Sequence, residues 1–170
     1  MDPMNVRPKG LFTLLVLTFI NTGYSVLSTV LALFFFKPTP EDIKQEKLEM
    51  AKSIIEFKKM GVNWFVEMLE KLQGMVEVLN HHFVESNLIN IGISILGGVS
   101  AYFMMKRNHL GFHGYIVYNL LASVSIYFFV SPSMVPSIIL IVNLLISLVF
   151  VLLYAKHLAW MKGDQQVDSL

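Results

Sequence analysis

Hydrophobic residues in this chain come in long unbroken runs, separated by one stretch in which they recur with helical spacing. Residues 10–36 contain no Asp, Glu, Lys or Arg, and neither do residues 87–105, 110–130 or 134–155. A helix needs about 20 mainly apolar residues to cross the hydrocarbon core of a bilayer. The pattern therefore predicts four membrane-spanning helices, since helical backbone satisfies its own polar groups where no water can. The first run exceeds the apolar core of a signal peptide and no small-residue cleavage site follows it, so it reads as an uncleaved anchor and first span.

Residues 37–86 follow a different pattern. Thr39 is a good N-cap, Pro40 suits the first helical position, and Glu41 and Asp42 suit the positive end of a helix dipole. Ile43, Met50, Ala51 and Ile54 share one face at 3.6 residues per turn, and that face continues through Phe65, Met68, Leu69, Leu72, Val76, Leu79 and Phe83. Most charges take the opposite side, although Lys47 and Lys58 fall on the apolar one. The shared face favours one continuous helix. Lys58-Lys59-Met60-Gly61 followed by Asn63 has the composition of a helix end and a restart, which would instead make a hairpin. The expected fold class is all-α: a four-transmembrane-helix bundle, as a single membrane domain of 170 residues, with a long external amphipathic helix between spans 1 and 2.

Charge sets the orientation. Arg7 and Lys9 precede the first run, Lys106 and Arg107 close the second, and Lys156 and Lys162 follow the fourth, while the Ser131-Pro132-Ser133 turn has no cation. The positive-inside rule then places both termini in the cytoplasm and residues 37–86 outside, in the periplasm if the membrane is a bacterial inner membrane. The lysines of residues 37–86 oppose that rule, but acids outnumber them and many lie far from the span ends.

Each expected span carries an Asn: Asn21, Asn90, Asn119 and Asn143. A carboxamide in hydrocarbon needs a partner, so these side chains should face the bundle interior, either bonding helix to helix or lining a polar pocket. Ser94, Gly97, Gly98 and Ala101 make small-xxx-small pairs that admit a close neighbour, and Thr18, Thr22, Ser25 and Thr29 form a polar stripe on the first span. The spans hold no charged residue, which argues against proton relays, cation-coupled transport and voltage sensing.

Candidate chemistry is thin. Glu77, His81 and Glu85 would share a face if their region were one helix, but one strip of one helix rarely closes a metal shell, so no metal site is expected. His109, His113 and His157 lie near the span ends and read as interfacial side chains in preference to haem ligands. No catalytic triad, phosphate-cradling loop or cofactor motif stands out. Hydrophobic residues make up 55% of the chain and the net charge is +1, so nothing points to nucleic acid. With no Cys, the chain lacks the Cys motifs of four-span claudins and tetraspanins.

The function expected on these grounds is non-enzymatic: an accessory or assembly subunit of a larger membrane complex. Its partner-binding face would be Val62, Phe65, Met68, Leu69, Leu72, Val76 and Leu79, which is also a short heptad seam suited to another subunit or a second copy. The alternative is a small-molecule or lipid carrier or channel, with a pocket lined by Asn21, Asn119 and Asn143.

Overall fold

The computed structural model describes residues 7–162, and every regular element among them is helical. The order is α1 (Lys9–Phe35), α2 (Pro40–Lys59), α3 (Asn63–His81), α4 (Phe83–Met105), α5 (Leu110–Val124), α6 (Ser137–Ala155) and a single turn, α7 (Leu158–Met161). Two 3-10 turns, Ser125–Phe128 and Pro132–Met134, connect α5 to α6. Three helices, α1, α4 and α6, are long and apolar enough to cross a membrane. The run expected as a third span is divided: α5 has 15 residues and then tightens into the first 3-10 turn. The Ser123 hydroxyl donates to the Asn119 carbonyl and Ser125 to that of Ala122, a back-bonding that weakens and bends an α-helix.

The continuous amphipathic helix is not what forms. α2 and α3 are separate and pack on each other as an antiparallel hairpin. Gly61 sits at φ +76°, in the left-handed region that glycine occupies without a steric penalty. Its N–H donates to the Lys58 carbonyl at 3.2 Å, and the Val62 N–H donates to the Phe57 carbonyl at 3.3 Å. Those two bonds are the Schellman pattern that closes a helix C-terminus. The Phe57 and Phe65 rings then meet edge to face across the turn, 4.5 Å between centroids. Helical phase survives the break, which is why the apolar stripe looked continuous. Lys47, out of place on that stripe, pairs across the hairpin with Glu77 at 3.0 Å. The start of α2 is as the sequence indicates: Thr39 and Asp42 form a reciprocal capping box, and the Thr39 hydrogen bonds hold the Asp42 carboxyl below its usual pKa.

α4 lies between α1 and α5 along much of its length. Small residues allow this. A Cβ on Gly97 would come within 2.8 Å of the Tyr118 ring and 2.9 Å of Thr22, and one on Gly111 would meet α4 backbone at 2.5 Å. The neighbours admitted by the small-residue pattern of α4 are thus internal. The tightest core, with Leu11, Leu15, Ala101, Met104, Phe112, Tyr115, Tyr154 and Met161, lies at one end of the bundle. Basic and aromatic side chains gather there: an Arg7 guanidinium N–H donates to the Met105 carbonyl, and Arg107 lies 4.7 Å from the Trp160 ring centre. At the opposite end α3 crosses the Pro132–Met134 turn, where a Cβ on Gly74 would meet the Met134 methyl at 2.8 Å. α6 follows the bundle loosely, and Tyr154 is the one residue along it that is buried among the described residues.

The hairpin turn gives a direct prediction. Gly61→Val forces a β-branched residue into a left-handed conformation, at a cost of roughly 1–3 kcal/mol. Hydrogen exchange should quicken in α2 and α3 while α4 amides stay protected; unchanged exchange in the hairpin would contradict the turn.

Candidate functional site

One face of α1 holds the bundle in register. Thr18, Asn21, Ser25 and Thr29 recur every three or four residues, so they form one stripe along the helix. Each bonds to another helix. The hydroxyls of Thr18 and Tyr154 of α6 lie 2.8 Å apart, and the Asn21 amide donates to the Tyr118 hydroxyl of α5 at 3.3 Å. The hydroxyls of Ser25 and Ser94 of α4 lie 2.8 Å apart in a hydrogen bond, and the Asn90 amide of α4 donates to Thr29 at 3.2 Å. Thr22, between them, donates to the Thr18 carbonyl of its own helix and lies against Gly97.

Above the Thr18–Tyr154 pair, α6 stands away from α1 and leaves a cleft of about 560 Å³ between α1, α5 and α6. That volume suits a small ligand, for which pockets of roughly 300–1,000 Å³ are usual. Asn21, Asn119 and Asn143 all line it, with Tyr24, Tyr118 and Ser147. The Asn119 amide donates to the Tyr115 carbonyl of its own helix at 2.8 Å. Asn143 makes no hydrogen bond among the described residues. Among the described residues no charged side chain lines the cleft, and Leu17, Ile20, Ile146 and Phe150 are among its apolar walls. Asn90 lies apart, in a shallow depression with Leu79, Asn87 and Phe129.

The tyrosines of this site escaped the sequence reading, which weighed Asn and Thr as the intramembrane polar groups. Their signal was position. Tyr115, Tyr118 and Tyr154 lie within the apolar runs, and a phenol in apolar surroundings needs a hydrogen-bond partner.

The expected partner face on α3 is divided among internal neighbours. Val62, Phe65, Met68, Leu69, Leu72, Val76 and Leu79 are all half-buried. Phe65 packs on Phe57, Val76 faces Ile43 and Met50 of α2, and Met68 faces Pro136 and Ile138. Leu48, Ile55, Met60 and Trp64 of the hairpin are more than half exposed. Glu77, His81 and Glu85 do not share a helix, because the chain breaks at His82; Glu77 is held by Lys47 and His82 stacks on Phe129. The His109 and His113 rings are 5.9 Å apart, and His157 lies beside Gly10. Among the described residues no three His, Cys, Asp or Glu side chains are grouped to hold a metal ion. The cleft offers donors, acceptors and apolar surface, and no paired nucleophile and base.

The Thr18–Tyr154 bond should be measurable as a coupling. Thr18→Val and Tyr154→Phe are each expected to lower stability by about 1 kcal/mol, with a coupling of about 0.6–1.7 kcal/mol in a double-mutant cycle. Thermal unfolding in mild detergent is the readout, and strictly additive effects would contradict the contact. No family model matches this chain, and no curated protein or solved structure matches it.

Proposed function

We propose that this chain is a four-span membrane protein that binds a small amphiphilic molecule in the cleft between α1, α5 and α6, as a carrier or channel would. The observation that carries this reading is the convergence of Asn21, Asn119 and Asn143 on one uncharged cleft. Polar groups at membrane depth concentrate where they meet each other or a substrate, and Asn143 bonds to no group among the described residues. α5 with its 3-10 extension rises about 30 Å, enough to make it the fourth span beside α1, α4 and α6. The cations around Arg7 and Arg107 would face the cytoplasm with both chain ends, and the α2–α3 hairpin would lie outside, in a bacterial inner membrane at the periplasmic surface.

A second reading rests on a different observation. α6 is exposed along almost its whole length, and the hairpin exposes Leu48, Ile55, Met60 and Trp64. An accessory or assembly subunit would use such surfaces against other subunits or a second copy, with the α3 face from Val62 to Leu79 supplying part of the contact.

Native mass spectrometry of the full chain, released from gentle detergent, separates the readings. The cleft reading expects a retained species of a few hundred daltons, near one per chain, that is lost in Asn21→Leu and Asn143→Leu. A partner subunit or a dimer, with nothing small retained, favours assembly; a bare monomer contradicts both.

A further inference from the structure

We infer that the cleft selects an amphiphile whose polar head is uncharged, a hydroxyl or amide on a hydrocarbon tail, and discriminates against a phosphate head. The inference rests on the cleft reading and adds the chemical class of the ligand.

The first ground is electrostatic. Among the described residues no Lys, Arg or His lines the cleft. The cations around Arg7 and Arg107 gather at the end of the bundle packed by Leu11, Leu15, Met104 and Phe112, and neither arginine lines the cleft. A phosphate entering there would give up water for a low-dielectric site without a counter-ion, a transfer that is strongly unfavourable.

The second ground is the hydrogen-bond inventory. The Asn143 carboxamide presents one acceptor and two donor hydrogens, none engaged among the described residues. The Tyr118 oxygen accepts from Asn21, which leaves its own hydrogen to be donated into the cleft. Donors and acceptors thus stand side by side, the complement of a group that both gives and takes a hydrogen bond. A bare carboxylate or phosphodiester only accepts.

The third ground is shape. Leu17, Ile20, Ile146 and Phe150 supply apolar wall beside these polar groups, and α6 touches α1 only sparsely. A tail lying along that wall would pass out between the two helices into the surrounding acyl chains.

Two probes with the same tail test this on the purified full chain: radiolabelled monooleoylglycerol, with an uncharged diol head, and oleoyl lysophosphatidic acid. The expected result is saturable monooleoylglycerol binding, near one per chain, at least about tenfold tighter than that of the phosphate probe, a difference of about 1.4 kcal/mol. Asn143→Leu should weaken it about tenfold or more without lowering the melting temperature of the ligand-free chain, because the carboxamide it removes holds nothing in place. Ser147→Leu, one turn along, is a second variant that should obstruct the cleft. Equal or tighter binding of the phosphate probe, still weakened by Asn143→Leu, would overturn the head-group assignment and leave the cleft standing. Binding of neither probe, or binding indifferent to both variants, would overturn both.

Discussion

Apolar surroundings leave a polar side chain nowhere to turn except to another polar group, and that constraint organises this molecule. α1 meets it with a single stripe. Thr18, Asn21, Ser25 and Thr29 reach in turn to α6, α5 and, twice, α4. Apolar contact between helices is nearly indifferent to sliding where the solvent is itself hydrocarbon, so hydrogen bonds and close small-residue packing must fix the register. Both are present: Gly97 brings Tyr118 and Thr22 within van der Waals range of the α4 backbone, and Gly111 brings α5 against α4.

The same constraint explains why the cleft is the place to look for function. Most polar groups of α1, α4 and α5 are spent on one another or on their own backbone, as Asn119 is on the Tyr115 carbonyl. Asn143 is left over, on a helix that touches the rest of the bundle mainly near the Tyr154 end. A carboxamide kept unpartnered on so apolar a helix is costly unless something else bonds to it. α3 crosses the turn that leads into α6.

Much of the helical layout was legible in the sequence because runs without charge and a capped helix start are local signals. The capping box at Thr39 and Asp42 and the long apolar helices α1, α4 and α6 follow from residue order alone. The hairpin was half legible. Lys58 to Gly61 carried the stop signal, but two helices joined by a short turn keep their stripes in phase, and periodicity cannot distinguish that from one helix. Lys47 was the clue: a cation on an apolar face implies a partner across it, and Glu77 is that partner. Asn21, Asn119 and Asn143 were legible as one candidate pocket lining, set apart from Asn90, but residue order did not show which helices bound the opening. How far α6 stands from α1 sets the place of Asn143, whereas Asn90 on α4 is held by Thr29 in a separate depression. The tyrosines that complete the site are ordinarily read as interface residues, so only their depth within the runs marked them.

The account stands on α5 crossing the membrane beside the three longer helices, since otherwise Asn119 and Tyr118 could not face Asn21 and Asn143 within the bilayer. The absence of cysteine makes this direct to measure, through single-cysteine variants Ser53→Cys in α2, Asn108→Cys between α4 and α5, and Ser133→Cys between α5 and α6. Labelled in intact cells with a membrane-impermeant maleimide, Ser53→Cys and Ser133→Cys should react and Asn108→Cys should not until the membrane is opened. Reaction of Asn108→Cys and Ser133→Cys from the same side would show that α5 does not cross, and would contradict the account.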